Sequence, residues 1–142
     1  MKTTGAFIAG LVIGMAANLI LISINMVFYP APKGLDLQDQ DAWREYAASL
    51  PPEAFLIPIL AHLAQAFFGG WTAARLAPEA PMRMALILGG VSMVGGIMNL
   101  NNLSPPIWMW GELPFYLIVA YTAGLLEQNR RASGATHEKG VK

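Results

Sequence analysis

The 142-residue chain contains no cysteine, which excludes disulfides, thiolate metal sites and quinone-linked thiol chemistry. Charge is also scarce. Asp, Glu, Lys and Arg make up 13% of the residues, against roughly 25% in a soluble domain. The formal net charge is zero, and no basic patch of the kind that tracks nucleic acid is present. Hydrophobic residues, by contrast, reach 55%, and the mean hydropathy is +0.45. The charges gather at the ends and in two connecting segments. Long uncharged runs separate them, which is the pattern of an all-α integral membrane protein whose first partner is the lipid bilayer.

Four runs are long enough to cross. Gly5 to Phe28 carries no charge and exceeds the roughly 20 residues a spanning helix needs. It continues into Tyr29-Pro30 without a small-residue cleavage site, unlike a secretory signal. The others are predicted at about 54–76, 84–100 and 107–126, giving a four-helix bundle over residues 1–129 followed by a flexible polar tail, 130–142. Prolines 78 and 81 close the turn before the third span. The loop 29–53 opens on Pro30 and Pro32. Asp39 then reads as an N-cap, and Trp43, Tyr46, Ala47 and Leu50 recur at helical spacing, so a short amphipathic helix ending before Pro51-Pro52 is expected there. Trp43 and Tyr46 on that helix, and Trp108 and Trp110 at the start of the last span, suit the headgroup region.

Within the spans, small and polar residues fall on single faces. Gly10, Gly14, Asn18 and Asn25 form one stripe of the first helix; His62, Gln65 and Gly69 lie within roughly 60° of one another on the second. Gly89, Ser92, Gly96 and Asn99 share a face of the third. Small residues let backbones approach in lipid, so Gly10, Gly14, Gly69, Gly89, Ser92 and Gly96 are read as helix-packing positions. An unpaired imidazole, carboxamide or carboxylate in hydrocarbon costs several kcal/mol, so the polar residues must find one another. Glu112 is the only acidic residue inside a span. It lies at the depth of His62, and the two are expected to share a site bordered by Asn25 and Asn99, with Gln65 and Asn18 deeper on the same faces. One histidine and one carboxylate are too few for a catalytic metal, and no cofactor motif is legible.

Orientation follows from the basic residues. Lys2, Arg75, Arg83, Arg130, Arg131, Lys139 and Lys142 fall on one side, against Lys33 and Arg44 on the other, which puts both termini in the cytoplasm. The polar residues then belong to the outer half of the bilayer and most of the glycines, Gly90 among them, to a tightly packed inner half.

The segment from Tyr29 to Asp36, with Asp39, Tyr46 and Ser49-Leu50-Pro51, then His62, Gly69-Gly70 and Gly95-Gly96-Ile97-Met98-Asn99-Leu100, resembles a loosely defined group of small four-span bacterial inner-membrane proteins. The likeness covers roughly residues 5–126. It implies a bacterial inner membrane and carries no activity with it. Small multidrug exporters fit poorly because the first span has no glutamate, and four-span quinone-thiol enzymes need cysteines.

Three roles remain. The first is an accessory or scaffolding subunit acting through helix contacts, within a larger membrane complex or by self-association. The second is an oligomeric transporter or channel for a small cation, proton or small solute, with an outward-facing polar site around His62 and Glu112. The third, ranked last because no catalytic constellation is visible, is a membrane enzyme with those two residues as acid and base.

Overall fold

The computed structural model describes residues 3–36, 39–103 and 105–139. Five α-helices follow in order: α1 (Thr3–Phe28), α2 (Gln40–Ser49), α3 (Leu56–Leu76), α4 (Pro81–Leu103) and α5 (Leu113–Lys139), with 3₁₀ turns at Pro52–Phe55 and Ile107–Glu112 leading into α3 and α5. No strand occurs among the described residues. Counting each 3₁₀ turn with its helix, four segments are long and apolar enough to cross a membrane. Lys2, Lys142 and the last three residues of the expected tail lie outside the described residues.

Local chemistry sets the boundaries. Asp39 caps α2, its carboxylate accepting from the backbone N–H groups of Asp41 and Ala42 at 3.0 Å. Pro81 opens α4 at a position where its missing N–H costs nothing. The α3–α4 turn places Ala80 at φ 48°, a left-handed conformation unusual for a residue with a Cβ. Helix α4 is longer at both ends than the 84–100 expected, running to Leu103 before Pro105 and Pro106.

The tail departs most from expectation. Residues from 130 onward, read from composition as a flexible segment, continue α5 in helical form to Lys139. Ion pairs one turn apart hold the beginning of the continuation. The Glu127 carboxylate, with no solvent exposure, is held by Arg130 at 2.7 Å and by Arg131 at 2.9 Å. Arg131 also donates to the carbonyls of Ala74 (2.7 Å) and Ala77 (2.8 Å) at the end of α3. One guanidinium thus satisfies orphan carbonyls of a neighbouring helix and ties α5 to it.

Helix α3 is the hub, packing against α1, α4 and α5, while α4 also packs on α5. Helix α1 lies chiefly against α3 and barely touches α4. Its outward face, including Ile8, Val12, Leu19, Ile20 and Val27, is exposed, an apolar surface suited to lipid. The α1–α3 seam is close at one end: a Cβ on Gly10 would lie 2.6 Å from the Gly69 carbonyl oxygen, and one on Gly14 would lie 2.7 Å from the Gln65 carbonyl oxygen. Only glycine permits that approach. Gly89 packs in the same way on Ala120 of α5. Gly90 and Gly95 have open space where a Cβ would sit, so they are not packing glycines, and Gly90 does not contribute to a tight inner half.

Candidate functional site

At the other end of the α1–α3 seam the packing changes from glycine to polar side chains. His62 of α3 meets Glu112, the last residue of the second 3₁₀ turn, with Nδ1 and Oε1 3.0 Å apart. The Glu112 side chain is 1% exposed and that of His62 is 13% exposed. Tyr116, one turn further along α5, donates its hydroxyl to the same Oε1 at 3.1 Å, and its ring stacks beside His62 with centroids 6.3 Å apart. The tyrosine fits because Gly96 of α4 has no side chain: a Cβ there would collide with the Tyr116 hydroxyl.

The imidazole Nδ1 is hydrogen-bonded to the carboxylate, and the Asn99 amide nitrogen faces Nε2 at 3.5 Å. That last contact is long for a hydrogen bond, so Nε2 is only weakly engaged. A carboxylate that fixes an imidazole through one nitrogen and presents the other is an arrangement suited to hydrogen bonding a bound molecule.

Two cavities meet here. The larger, about 290 Å³, lies under α2 and is walled by Ile22, Met26 and Tyr29 of α1, Trp43, Tyr46, Ala47 and Leu50 of α2, Phe55 and Pro58 ahead of His62, and Leu103 and Met109. Asn18, Asn25, His62 and Asn99 supply most of its polar lining. A smaller and more polar cavity of about 190 Å³ is lined by Asn18, His62, Gln65, Ser92, Gly95, Gly96, Asn99 and Tyr116. Asn18, His62 and Asn99 line both. Both are lined by residues of α1, α3 and α4.

Helix α2 covers the larger cavity and is fastened at both sides. Tyr46 donates to the Tyr29 carbonyl just beyond α1 at 2.8 Å, and Arg44 to the Asn102 carbonyl near the end of α4 at 2.9 Å. Burial pushes the Tyr46 phenol pKa up, so it remains a donor. Beside it, Ala47 packs with Phe55, Leu100 and Met109. Trp43 and Leu50 are half-buried on the cavity side, whereas Asp41 and Glu45 are exposed. Trp108 is partly exposed and packs edge-on against Phe55, while Trp110 lies against the Ala47 cluster.

The polar residues singled out from sequence therefore come together unequally. His62, Glu112 and Asn99 form one hydrogen-bonded group; Asn18, Asn25 and Gln65 line the cavities, and Asn25 Oδ1 is buried without a partner. Ser92 is buried against the smaller cavity. Sequence reasoning missed Tyr116, although its spacing of four from Glu112 puts it on the same helix face. It also missed Glu127, which has Arg130 and Arg131 at spacings of three and four. Among the described residues no three His, Asp or Glu side chains converge as a metal site would require. A scan of protein-family models, a search of curated proteins and a search of solved structures each find no match to this chain.

Proposed function

We propose that this chain is an integral protein of a bacterial inner membrane, with both termini cytoplasmic, that binds a small solute under α2 as the recognition step of transport. The observation that carries the reading is the position of His62. Were the polar residues only interhelical glue, they would satisfy one another in a sealed contact. Instead the imidazole is fixed by Glu112 on one side and borders two cavities on the other. The exposed apolar face of α1 does not favour a scaffolding role, because lipid covers such a face as well as a partner subunit does.

The test is native mass spectrometry of the protein released from membranes in its own lipids. The expected result is a bound small molecule that disappears in Ala47→Phe, a substitution that fills the cavity from α2. A partner protein in fixed stoichiometry, with no small molecule retained, would instead support the accessory role. Reporter fusions check the orientation: a periplasm-active reporter should work after Gln40 and fail after Asn129.

A further inference from the structure

We infer that a file of water runs from the cavity under α2 to Ser92, in the middle of the membrane, and stops there, so that the bundle holds a one-sided hydrated half-channel. This goes beyond the binding reading and does not rest on it, because water occupies such a path with or without a solute above it. Depth comes first. Ser92 is the central residue of α4, eleven positions from Pro81 and eleven from Leu103. At roughly 1.5 Å per residue it lies about 16 Å from either end, the level of the midplane of a hydrocarbon core about 30 Å thick.

At that level the Ser92 hydroxyl has no hydrogen-bond partner among the described residues, and neither have the side-chain amides of Asn18 and Gln65. Yet these groups are not sealed. Among the described residues, Asn25 Oδ1 and Glu112 Oε2 are the only side-chain polar atoms buried without a partner, so the hydroxyl of Ser92, a residue only 5% exposed, opens onto the smaller cavity that it lines. A polar group left unpaired in hydrocarbon costs several kcal/mol, which makes acyl chains poor occupants of that space. Water suits it. Hydroxyl and carboxamide groups both donate and accept, as water does, so the fit holds whichever nitrogen of His62 carries a proton. At ~30 Å³ of liquid volume per molecule, the cavity of about 190 Å³ holds about six waters. Among the described residues no Asp, Glu, Lys or Arg lines either cavity, so nothing there calls for an ion in place of water. Asn18, His62 and Asn99 line both, which joins the chamber to the space under α2. Beyond Ser92 the helices close: a Cβ on Gly89 would collide with Ala120, and one on Gly10 would lie 2.6 Å from the Gly69 carbonyl oxygen.

The chain has no cysteine, so a single introduced one reports on its surroundings without background. The experiment places Ser92→Cys in sealed membrane vesicles of each orientation and exposes them to silver nitrate. Silver ion travels in water, is close to a water molecule in size, and replaces the thiol proton by an S–Ag bond, the proton passing to water. Blocking is read as loss of later maleimide labelling of the unfolded protein. Val94→Cys, at nearly the same depth but 54% exposed on α4, is the lipid-facing reference, and Glu45→Cys, exposed on α2, marks the α2 side. Ser92→Cys should be blocked at least about tenfold faster than Val94→Cys, because the thiolate reacts and apolar surroundings suppress it. Blocking should come only from the side that blocks Glu45→Cys. Gln65→Cys, lining the same cavity, serves if the Ser92 variant does not fold. Blocking no faster than at Val94 would mean that lipid or packed protein fills the chamber, and blocking from the opposite side would mean that the seal lies elsewhere; either result overturns the inference. The mass-spectrometric test of the binding reading is separate, since a bound solute is neither required nor excluded by water at Ser92.

Discussion

The two ends of the α1–α3 seam are built from opposite materials. At the Gly10–Gly69 end, backbone meets backbone and the absence of side chains is the contact. At the Asn25–His62 end polar side chains of the same two helices line a cavity. The first arrangement gains van der Waals contact, which is what holds helices together where lipid removes the hydrophobic driving force. The second forgoes that contact for polar side chains, and Asn25 Oδ1 and Glu112 Oε2 are buried there without a hydrogen-bond partner.

The contrast can be broken most severely at the tight end. Gly10→Leu should force α1 off α3, destabilising the fold by roughly the 1–3 kcal/mol of overpacking or more, read as a lower midpoint of thermal unfolding in detergent. Gly90→Ala and Gly95→Ala, where nothing lies within 4 Å, should show no loss. A loss at those two positions as large as at Gly10 would mean that the seam is not what the glycines serve.

The same end is fastened by Arg131. Arg131→Met should cost about 1–3 kcal/mol, because it strips the Ala74 and Ala77 carbonyls of their donor and leaves Glu127 with Arg130 alone. Limited proteolysis should then cut in the turn after α3, and an unchanged digestion pattern would deny the clamp.

At the polar end a smaller effect is expected. His62→Ala and Glu112→Ala should each destabilise, and the double variant should cost less than their sum by about 0.6 kcal/mol, the usual size of an interhelical polar contact. Strict additivity would separate the pair. The α3–α4 turn should respond in the opposite sense: Ala80→Gly should stabilise by up to about 1 kcal/mol, since glycine adopts the positive φ without a Cβ penalty.

Much of this contrast was legible beforehand. Spacing of four along α1 and the charge-free runs placed the glycine stripe and four long helices, and the need to pair a lone carboxylate pointed from Glu112 to His62. Three features were not legible. Tyr116 reads in isolation as an apolar-span aromatic, and only the gap left by Gly96 shows where its hydroxyl goes. The tie of α5 to the end of α3 depends on Arg131 reaching carbonyls more than fifty residues away in the chain, which no local pattern encodes. The outlying position of α1 follows from which faces α3 offers its neighbours, and a stripe on α1 is equally compatible with contact to any other helix.

The central claim is that Glu112 fixes the imidazole and leaves its far nitrogen open to the cavity. Solid-state ¹⁵N NMR of histidine-labelled protein in lipid tests it most directly, with His137 replaced so that the only other histidine is silent. The expected spectrum shows a protonated Nδ1 and an unprotonated Nε2 at His62, with the tautomer balance lost in Glu112→Ala. A proton resident on Nε2, or a spectrum indifferent to the substitution, would contradict the account.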